Sequence, residues 1–187
     1  WRPWTVYDGP WSDAPGGVTR LASGGLLLFV NQQASWYGVA APPPDHLPVN
    51  TRIGVMRSED DGHNWSEPVW LEMPYPFYQR AHAHSQELAD GSVLFPTYAS
   101  DGRGALHGAI HRSDDAGRSW QLLSRIERDD GKALDEPSLT LLPDCRLLLL
   151  SRPPSAVPFC AGHRHLRPLP HPPPFTTPPA PPPAPPA

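Results

Sequence analysis

An eight-residue turn motif occurs twice in the chain and points to a repeated hairpin architecture. The two copies, Ser58–Trp65 and Ser113–Trp120, both follow the pattern S-x-D-x-G-x-x-W and start 55 residues apart. In each copy the aspartate can accept hydrogen bonds from turn amides, the glycine permits a positive φ, and the tryptophan can cover the base of a hairpin. We call this motif the octet. Its recurrence predicts that one supersecondary unit is used more than once.

A second recurring signal is a tight turn followed by an apolar run. It appears at Gly24-Gly25, at Asp90-Gly91 and at Asp144-Cys145. Together with the octets, these turns predict four short strands in two hairpins for each unit. The predicted strands are 16–22, 26–32, 51–57 and 66–72 in the first unit, 82–88, 92–98, 106–112 and 121–127 in the second, and 136–142 and 146–152 in an incomplete third.

A four-stranded unit that repeats every 55 residues is typical of a β-propeller blade. We therefore predict an all-β fold, a partial β-propeller of about two and a half four-stranded blades. A β-sandwich is the alternative, although it does not require the same octet in each unit. Because so few blades cannot close a ring, we expect the chain to be a fragment that folds poorly on its own.

The prolines divide the chain after residue 152. Residues 153–187 hold 15 of the 28 prolines and no Asp or Glu, so we expect this tail to be disordered or in the polyproline II conformation. Residues 1–152 are expected to form the incomplete propeller domain. A proline-rich docking tail is one interpretation of the second part. The break in the middle of a unit favours a translated intron or a shifted reading frame.

Charge and hydrophobicity exclude two classes of partner. The formal net charge is −4, and the Lys and Arg residues do not cluster, which argues against nucleic-acid binding. No apolar run reaches about 18 residues, so no membrane span is expected. The two cysteines, Cys145 and Cys160, allow one disulfide at most and do not identify a compartment.

The octet resembles the Asp-box, or bacterial neuraminidase repeat, of sialidases and related propellers. Ser119 fits that pattern, whereas Asn64 stands where Ser or Thr is usual. The resemblance covers residues 16–152 and implies a six-bladed sialidase-like propeller, a glycan or glycoconjugate substrate, and an extracellular or secretory location. Because Asp-boxes also occur in non-catalytic propellers, the octets are expected to be scaffold.

The stretch 134–152 resembles the sialidase strand pair in which a Glu opens one strand and an Arg closes the next. Glu136 and Arg152 occupy those places, and Cys145 replaces the usual turn glycine. Sialidases use a Tyr nucleophile. The resemblance therefore implies that Glu136 activates this Tyr, and that Arg152 belongs to an arginine triad that clamps the substrate carboxylate. The alternative is an ordinary ion pair across a hairpin.

The resemblance also implies an acid/base Asp in a loop ahead of the first octet. Asp45 lies in such a loop and can protonate a leaving oxygen; the alternative is a solvated turn residue. Arg20 falls too close to a turn to be the first triad arginine, and the Tyr nucleophile would lie beyond Arg152. We therefore expect the chain itself to be inactive.

The spacing of the units offers a separate route to pocket residues. The tight turns recur after 66 and then 54 residues, and subtracting 54 from Glu136 and Arg152 gives His82 and Tyr98 in the second unit. Subtracting a further 66 from Tyr98 gives Gln32 in the first unit. We predict that His82, Tyr98 and Gln32 bind substrate beside the Glu136–Arg152 pair.

The leading hypothesis is a fragment of a sialidase-like glycoside hydrolase that releases terminal sialic acid from glycans with retention of configuration. No metal or other cofactor is expected, because His82 and His84 are two residues apart without a third ligand in the pattern. Two alternatives stay open. One is a non-catalytic Asp-box propeller that binds glycan or protein, and the other is a hydrolase on the same scaffold for another sugar.

Overall fold

Antiparallel β-strands make up the regular structure of the residues that the structure describes. The computed structural model describes residues 3–9, 12–33, 51–103, 105–127, 133–144, 146–152 and 159–163. Within them, no helix is long and apolar enough to cross a membrane. The strands are β1 (Ser12–Arg20), β2 (Leu26–Gln33), β3 (Thr51–Ser58), β4 (Val69–Trp70), β5 (Phe77–Arg80), β6 (Gln86–Glu87), β7 (Val93–Ser100), β8 (Leu106–Ser113), β9 (Gln121–Ile126), β10 (Asp135–Leu141), β11 (Leu147–Arg152) and β12 (Phe159–His163).

The strands form three antiparallel sheets, which confirms the predicted all-β class. The first sheet has the order β1-β2-β3-β4, and the third has the order β10-β11-β12. The second has the order β5-β7-β8-β9, with β6 also paired to β7. Each sheet thus follows chain order from one edge to the other. Seven strands, β2, β3 and β7 to β11, lie within two residues of their predicted bounds.

The first edge of the second sheet differs from the single strand predicted at 82–88. It consists of β5 and β6, because the backbone between them bonds to the first sheet. The side chain of Asn31 accepts from Ala81 N at 2.7 Å and donates to Ala81 O at 2.8 Å. Thr19 Oγ1 accepts from Ser85 N at 2.9 Å. Backbone groups that pair with one sheet cannot serve the ladder of another.

The third sheet continues past its predicted end at Arg152. β12 pairs with β11, from Leu147 opposite His163 to Ser151 opposite Phe159. Prolines dominate the sequence after Arg152, but the segment Phe159–His163 contains none, so each of its residues has an N–H for a ladder. The sheet therefore has a third strand where the sequence predicted none.

The second sheet packs against the first sheet with one face and against the third sheet with the other. Phe29 and Phe95 belong to the cluster between the first two sheets, and their rings stack with centroids 3.5 Å apart. Leu94, Ile110 and Leu149 belong to the cluster between the second and third sheets. Neighbouring residues of a strand point to opposite faces, as Leu94 and Phe95 do. The sheets thus pack in chain order, unlike the two layers of a β-sandwich.

Both octets form the same hydrogen-bonded turn. In the second octet, Ser113 Oγ accepts from Gly117 N at 2.7 Å and Asp115 Oδ1 accepts from Ser119 N at 2.8 Å. The first octet makes the same two bonds at 2.9 and 2.8 Å. Gly117 has a φ of 85°, which favours glycine. The predicted roles of the aspartate and the glycine are confirmed.

The second octet also contacts the first sheet at its rim. Arg57 Nε donates to Ala116 O at 2.7 Å, and Arg118 Nη2 donates to Glu59 Oε1 at 2.9 Å. Trp120 packs against the cluster shared by the first two sheets. The octet therefore joins two sheets as well as closing its own hairpin.

Candidate functional site

Glu136 and Arg152 come together at one end of the third sheet. Asp135 lies opposite Arg152 in the β10–β11 ladder, and the register shifts between Asp135 and Ser138. Pro137 has no N–H to give to the ladder, so a bulge forms at this point. Glu136 lies in the bulge with a φ of 48°. Such a conformation costs about 1–3 kcal/mol in a non-glycine residue and is often found at functional sites.

Two carboxylates hold the guanidinium of Arg152. Glu136 is bidentate, with Oε2 at 2.9 Å from Nε and Oε1 at 3.1 Å from Nη2. Asp135 Oδ2 lies 2.8 Å from the same Nη2. The exposed fraction of the side chain is 64% for Arg152, 37% for Glu136 and 22% for Asp135. The hydrogen bond to Asp135, together with the charges of Glu136 and Asp135, raises the pKa of Arg152.

Tyr98 lies close to these carboxylates and is buried. Its exposed fraction is 2%. Burial raises the pKa of Tyr98, and the negative charges of Asp135 and Glu136 raise it further. The phenol is therefore neutral at physiological pH. A buried neutral phenol suits a pocket wall, and it is a poor nucleophile in the absence of a base that takes its proton.

Aromatic and cationic side chains surround Tyr98. The His82 ring stacks on it with centroids 5.8 Å apart, and the Tyr78 ring packs edge-on at 6.3 Å. Arg80 lies opposite Tyr98 in the β5–β7 ladder, with its guanidinium 4.8 Å from the centroid of Tyr78. The structure therefore brings His82 and Tyr98 into the neighbourhood of Glu136. Their binding of substrate stays a prediction.

The first two units are offset by one residue more than the sequence count assumed. Leu26 lies opposite Ser58 in the first sheet, and Val93 lies opposite Ser113 in the second. Ser58 and Ser113 each open an octet, so Leu26 and Val93 are equivalent. These two residues are 67 positions apart, whereas the count used 66.

The corrected offset changes one predicted pocket residue. The spacing in the sequence paired Gly25, the second glycine of the first turn, with Gly91. The structure pairs Gly24 with Gly91 instead, because both have a positive φ, 93° at Gly24 and 80° at Gly91. A slip of one residue moves a side chain to the other face of a sheet. The counterpart of Tyr98 is Asn31, so the derivation of Gln32 from the repeat is wrong.

Gln32 has contacts of its own within the first sheet. It is fully buried, its Oε1 accepts from Arg52 Nε at 2.7 Å, and its Nε2 donates to the hydroxyl of Tyr7 at 3.3 Å. The guanidinium of Arg52 lies 3.6 Å from the ring centroid of Trp70. Asn31 instead binds the backbone of Ala81, as described above. Asn31 is therefore bonded to the residue that directly precedes His82.

Two further candidates from the sequence, Asp45 and Arg20, have different outcomes. Asp45 lies outside the described residues. Arg20 ends β1 beside the turn, with Nη2 at 3.6 Å from Asp61 Oδ1 of the first octet. Arg20 therefore lies at the turn end of the first sheet, whereas Arg152 lies at the end of the third sheet away from the β10–β11 turn. The sequence prediction that Arg20 is not a triad arginine agrees with this position.

Sequence reasoning missed Asp135 as a ligand of Arg152. In a regular strand Asp135 and Glu136 would point to opposite faces, so only one of them would be expected at Arg152. The bulge before Pro137 brings both carboxylates to the same guanidinium. An acidic pair directly before a proline was the signal in the sequence.

Metal binding finds no support in the described part of the chain. No group of three or more His, Cys, Asp or Glu residues there could hold a metal ion. His84 Nδ1 lies 2.7 Å from Val18 O, and His82 stacks on Tyr98. The two histidines therefore have separate partners.

Comparison with protein families places the chain. Residues 15–160 match the BNR repeat-like domain, which is most of the sequence. The chain belongs to the BNR repeat-like domain family. A sialidase of Bacteroides fragilis (strain YCH46) is 25% identical to it over 97 residues. That match covers 49% of this chain and 17% of the relative.

Solved structures show that this BNR repeat-like chain has a sialidase-like fold. A Dyadobacter fermentans DSM 18053 protein of unknown function superposes with a TM-score of 0.70 at 20% identity, covering 87% of this chain and 50% of that protein. Trypanosoma rangeli sialidase, solved as a covalent intermediate with 2,3-difluorosialic acid, superposes with a TM-score of 0.59 at 14% identity. This match covers 86% of this chain and 28% of the sialidase. Penicillium chrysogenum α-L-arabinanase with arabinobiose also superposes with a TM-score of 0.59 at 14% identity. This match covers 86% of this chain and 47% of the arabinanase. The chain thus spans half or less of these proteins.

Proposed function

We propose that the chain forms part of a sialidase-like glycoside hydrolase that releases terminal sialic acid from glycans. The observation that carries this proposal is the Glu136–Arg152 pair, which lies where β10 begins and β11 ends in a chain of this family. A base beside a carboxylate-binding cation is what the cleavage of an anionic sugar needs. In this proposal the three sheets are about two and a half blades of a six-bladed propeller.

Each proposed residue has a separate task. A sialic acid carries a carboxylate on its anomeric carbon, which repels a carboxylate nucleophile, so a Tyr attacks instead. Glu136 accepts the proton of that Tyr, Arg152 binds the substrate carboxylate, and Asp45 protonates the leaving oxygen. Tyr98 and His82 form a wall of the pocket. The nucleophilic Tyr and further arginines belong to the remaining blades of the proposed propeller.

Replacement of Glu136 by Gln in the protein that carries this chain tests the proposed role. The change removes a base with little change in shape, so we expect kcat on a fluorogenic sialoside to fall by about 100-fold or more. The unfolding temperature is expected to stay the same. Glu67→Gln, at an exposed position beside the first octet, is the matched control and should leave kcat unchanged. Unchanged turnover in Glu136→Gln would contradict the assignment.

A second candidate function is sugar binding without hydrolysis. It is favoured by the position of Arg20, which lies at the turn end of the first sheet and so does not supply the arginine that the sialidase pattern places in the first strand. Calorimetry with sialyllactose separates the two functions when combined with the hydrolysis assay. Binding with no release of sialic acid supports the non-catalytic alternative, and release of sialic acid supports the hydrolase.

A further inference from the structure

We propose that the Glu136–Arg152 pair is a latch that the carboxylate of the substrate opens. An incoming carboxylate replaces Glu136 on the guanidinium, while Asp135 keeps Arg152 in place. Glu136, once released, becomes available as the base. This inference rests on the proposed function, since it takes the substrate to be an anionic sugar.

The number of N–H donors on the guanidinium is the first step of the argument. A guanidinium has five donors, of which Nε carries one and Nη2 carries two. Glu136 occupies Nε and one donor of Nη2, and Asp135 Oδ2 takes a position at the same Nη2. A guanidinium can bind a carboxylate with two nitrogens along two of its edges, Nε with Nη2 or Nη1 with Nη2. Both edges include Nη2. A two-point clamp on the substrate therefore requires one of the two carboxylates to leave.

The surroundings of the two carboxylates identify Glu136 as the one that leaves. Asp135 lies directly opposite Arg152 in the ladder, and its carbonyl accepts from Ser151 Oγ at 2.7 Å. Its side chain is short and less exposed than that of Glu136, at 22% against 37%. Glu136 has one more rotatable bond and lies in the bulge. Glu136 can therefore leave the guanidinium by a change of rotamer, whereas the shorter and less exposed side chain of Asp135 has fewer rotamers that do so.

The exchange conserves charge and transfers no proton. One carboxylate leaves the guanidinium and another takes its place, so the number of ion pairs at Arg152 is the same before and after. A neutral sugar offers no carboxylate and leaves Glu136 bound with both oxygens. The base is then released by anionic sugars and stays engaged with neutral ones.

Binding of N-acetylneuraminic acid to the full chain tests the latch. In Glu136→Gln the competing charge is gone, so we expect the dissociation constant to fall by about threefold to fivefold, the scale of an exposed ion pair. Asp144→Asn is the matched control. Asp144 pairs with Arg146 at 2.6 Å at the other end of the same hairpin, and its loss should leave binding unchanged.

Carbon-13 NMR of the Glu136 side-chain carboxyl gives a second measurement in the unmodified chain. The latch predicts that its signal shifts on addition of N-acetylneuraminic acid and stays in place on addition of the neutral methyl ester. Tighter binding by Glu136→Gln without that shift would indicate simple charge repulsion and overturn the latch.

The outcomes also separate the latch from the proposed function. If the unmodified chain binds N-acetylneuraminic acid and Glu136→Gln binds it with the same dissociation constant, only the latch is overturned. Absence of binding by the unmodified chain and by every variant overturns the latch, whereas the proposed function is decided by the hydrolysis assay on the protein that carries this chain. Tighter binding together with the shift of the carboxyl signal supports both.

Discussion

Asp60 and Asp115 hold equivalent places in the two octets, and each ties its turn together through one carboxylate. The backbone N–H and side-chain amide of Asn64 lower the pKa of Asp60 to about 2. At Asp115 burial raises the pKa, but the hydrogen bonds from Ser119, Ser113 and the Arg118 backbone together outweigh it, and the pKa is lowered. Asn64 Nδ2 reaches Asp60 Oδ2 at 2.6 Å, as Ser119 Oγ reaches Asp115 Oδ2. The departure of Asn64 from the Asp-box pattern therefore preserves the bond.

Replacement of Asp115 by Ala is expected to lower the free energy of unfolding by about 1–2 kcal/mol. The amide of Ser119 loses its acceptor, and the loss stays modest because solvent reaches the turn. Asp115→Asn retains an oxygen and should lose less. Urea unfolding measures the change, with Glu67→Ala as the control at an exposed carboxylate. Equal stabilities of Asp115→Ala and the control would contradict the scaffold role.

His111 links stability to pH because it is buried as a neutral ring. Its Nε2 donates to Glu72 O at 3.0 Å, and its Nδ1 lies 3.4 Å from Thr97 Oγ1. Burial lowers the pKa of His111 to about 4 from an ordinary value of 6.5. Between these two values the unfolded chain binds more protons than the folded one. The folded state is therefore expected to lose stability as the pH falls from 6.5 towards 4.

The expected slope from His111 is about 1 kcal/mol per pH unit within that window. Urea unfolding at several pH values measures it. His111→Gln retains an N–H for Glu72 O without a titrating ring, so its unfolding free energy should vary less over the same range. The same slope in both proteins would assign the pH dependence to other groups.

At the scale of strands and turns, local sequence decides some elements and tertiary contacts decide others. Apolar runs next to tight turns predicted β2, β3, β7 and β8 because each of these strands pairs with its neighbour in sequence. The interruption between β5 and β6 follows from Asn31, which takes both backbone groups of Ala81. The bulge at Glu136 follows from Pro137 together with a guanidinium on the next strand. These partners are distant in sequence, so no local sequence pattern predicts them.

Two glycines with similar φ offer a matched test of turn packing. Gly91 and Gly117 have φ values of 80° and 85°. A Cβ on Gly91 would meet nothing within 4 Å, whereas one on Gly117 would lie 2.6 Å from a methyl carbon of the buried Leu27. We expect Gly91→Ala to cost about 1–2 kcal/mol of unfolding free energy from backbone strain, and Gly117→Ala to cost about 1–3 kcal/mol more. Denaturant unfolding of both variants checks the difference, and equal losses would contradict the packing of the octet on the first sheet.

At the scale of the whole molecule, the recurrence of similar units predicted a chain of similar sheets and a site shared between them. The spacing led from Arg152 to Tyr98, which holds the equivalent place in the second sheet because the turns of the second and third units align without a gap. It failed at Gln32, because a turn with two adjacent glycines does not reveal which one has the positive φ. It also missed Asp135. The face on which a strand residue lies is predicted from the alternation of side chains, and a bulge interrupts that alternation.

A double-mutant cycle tests the order in which the sheets pack. Phe29 and Phe95 stack in the cluster between the first two sheets, whereas Leu149 lies in the cluster on the other side of the second sheet. The pair Phe29→Leu and Phe95→Leu is expected to show a coupling energy of about 0.5–1.5 kcal/mol. The pair Phe29→Leu and Leu149→Ala should be additive within about 0.5 kcal/mol. Strong coupling in the second pair would require a different arrangement of the sheets.

The bonds at the rim have a mechanical consequence. Arg57 donates a hydrogen bond to the carbonyl of Ala116, and Arg118 donates one to the carboxylate of Glu59. The hairpins that carry the two octets are therefore linked by one bond in each direction. We expect a force applied to one of these hairpins to be shared with the other through the two side-chain bonds. The two hairpins should then resist fraying together at this edge.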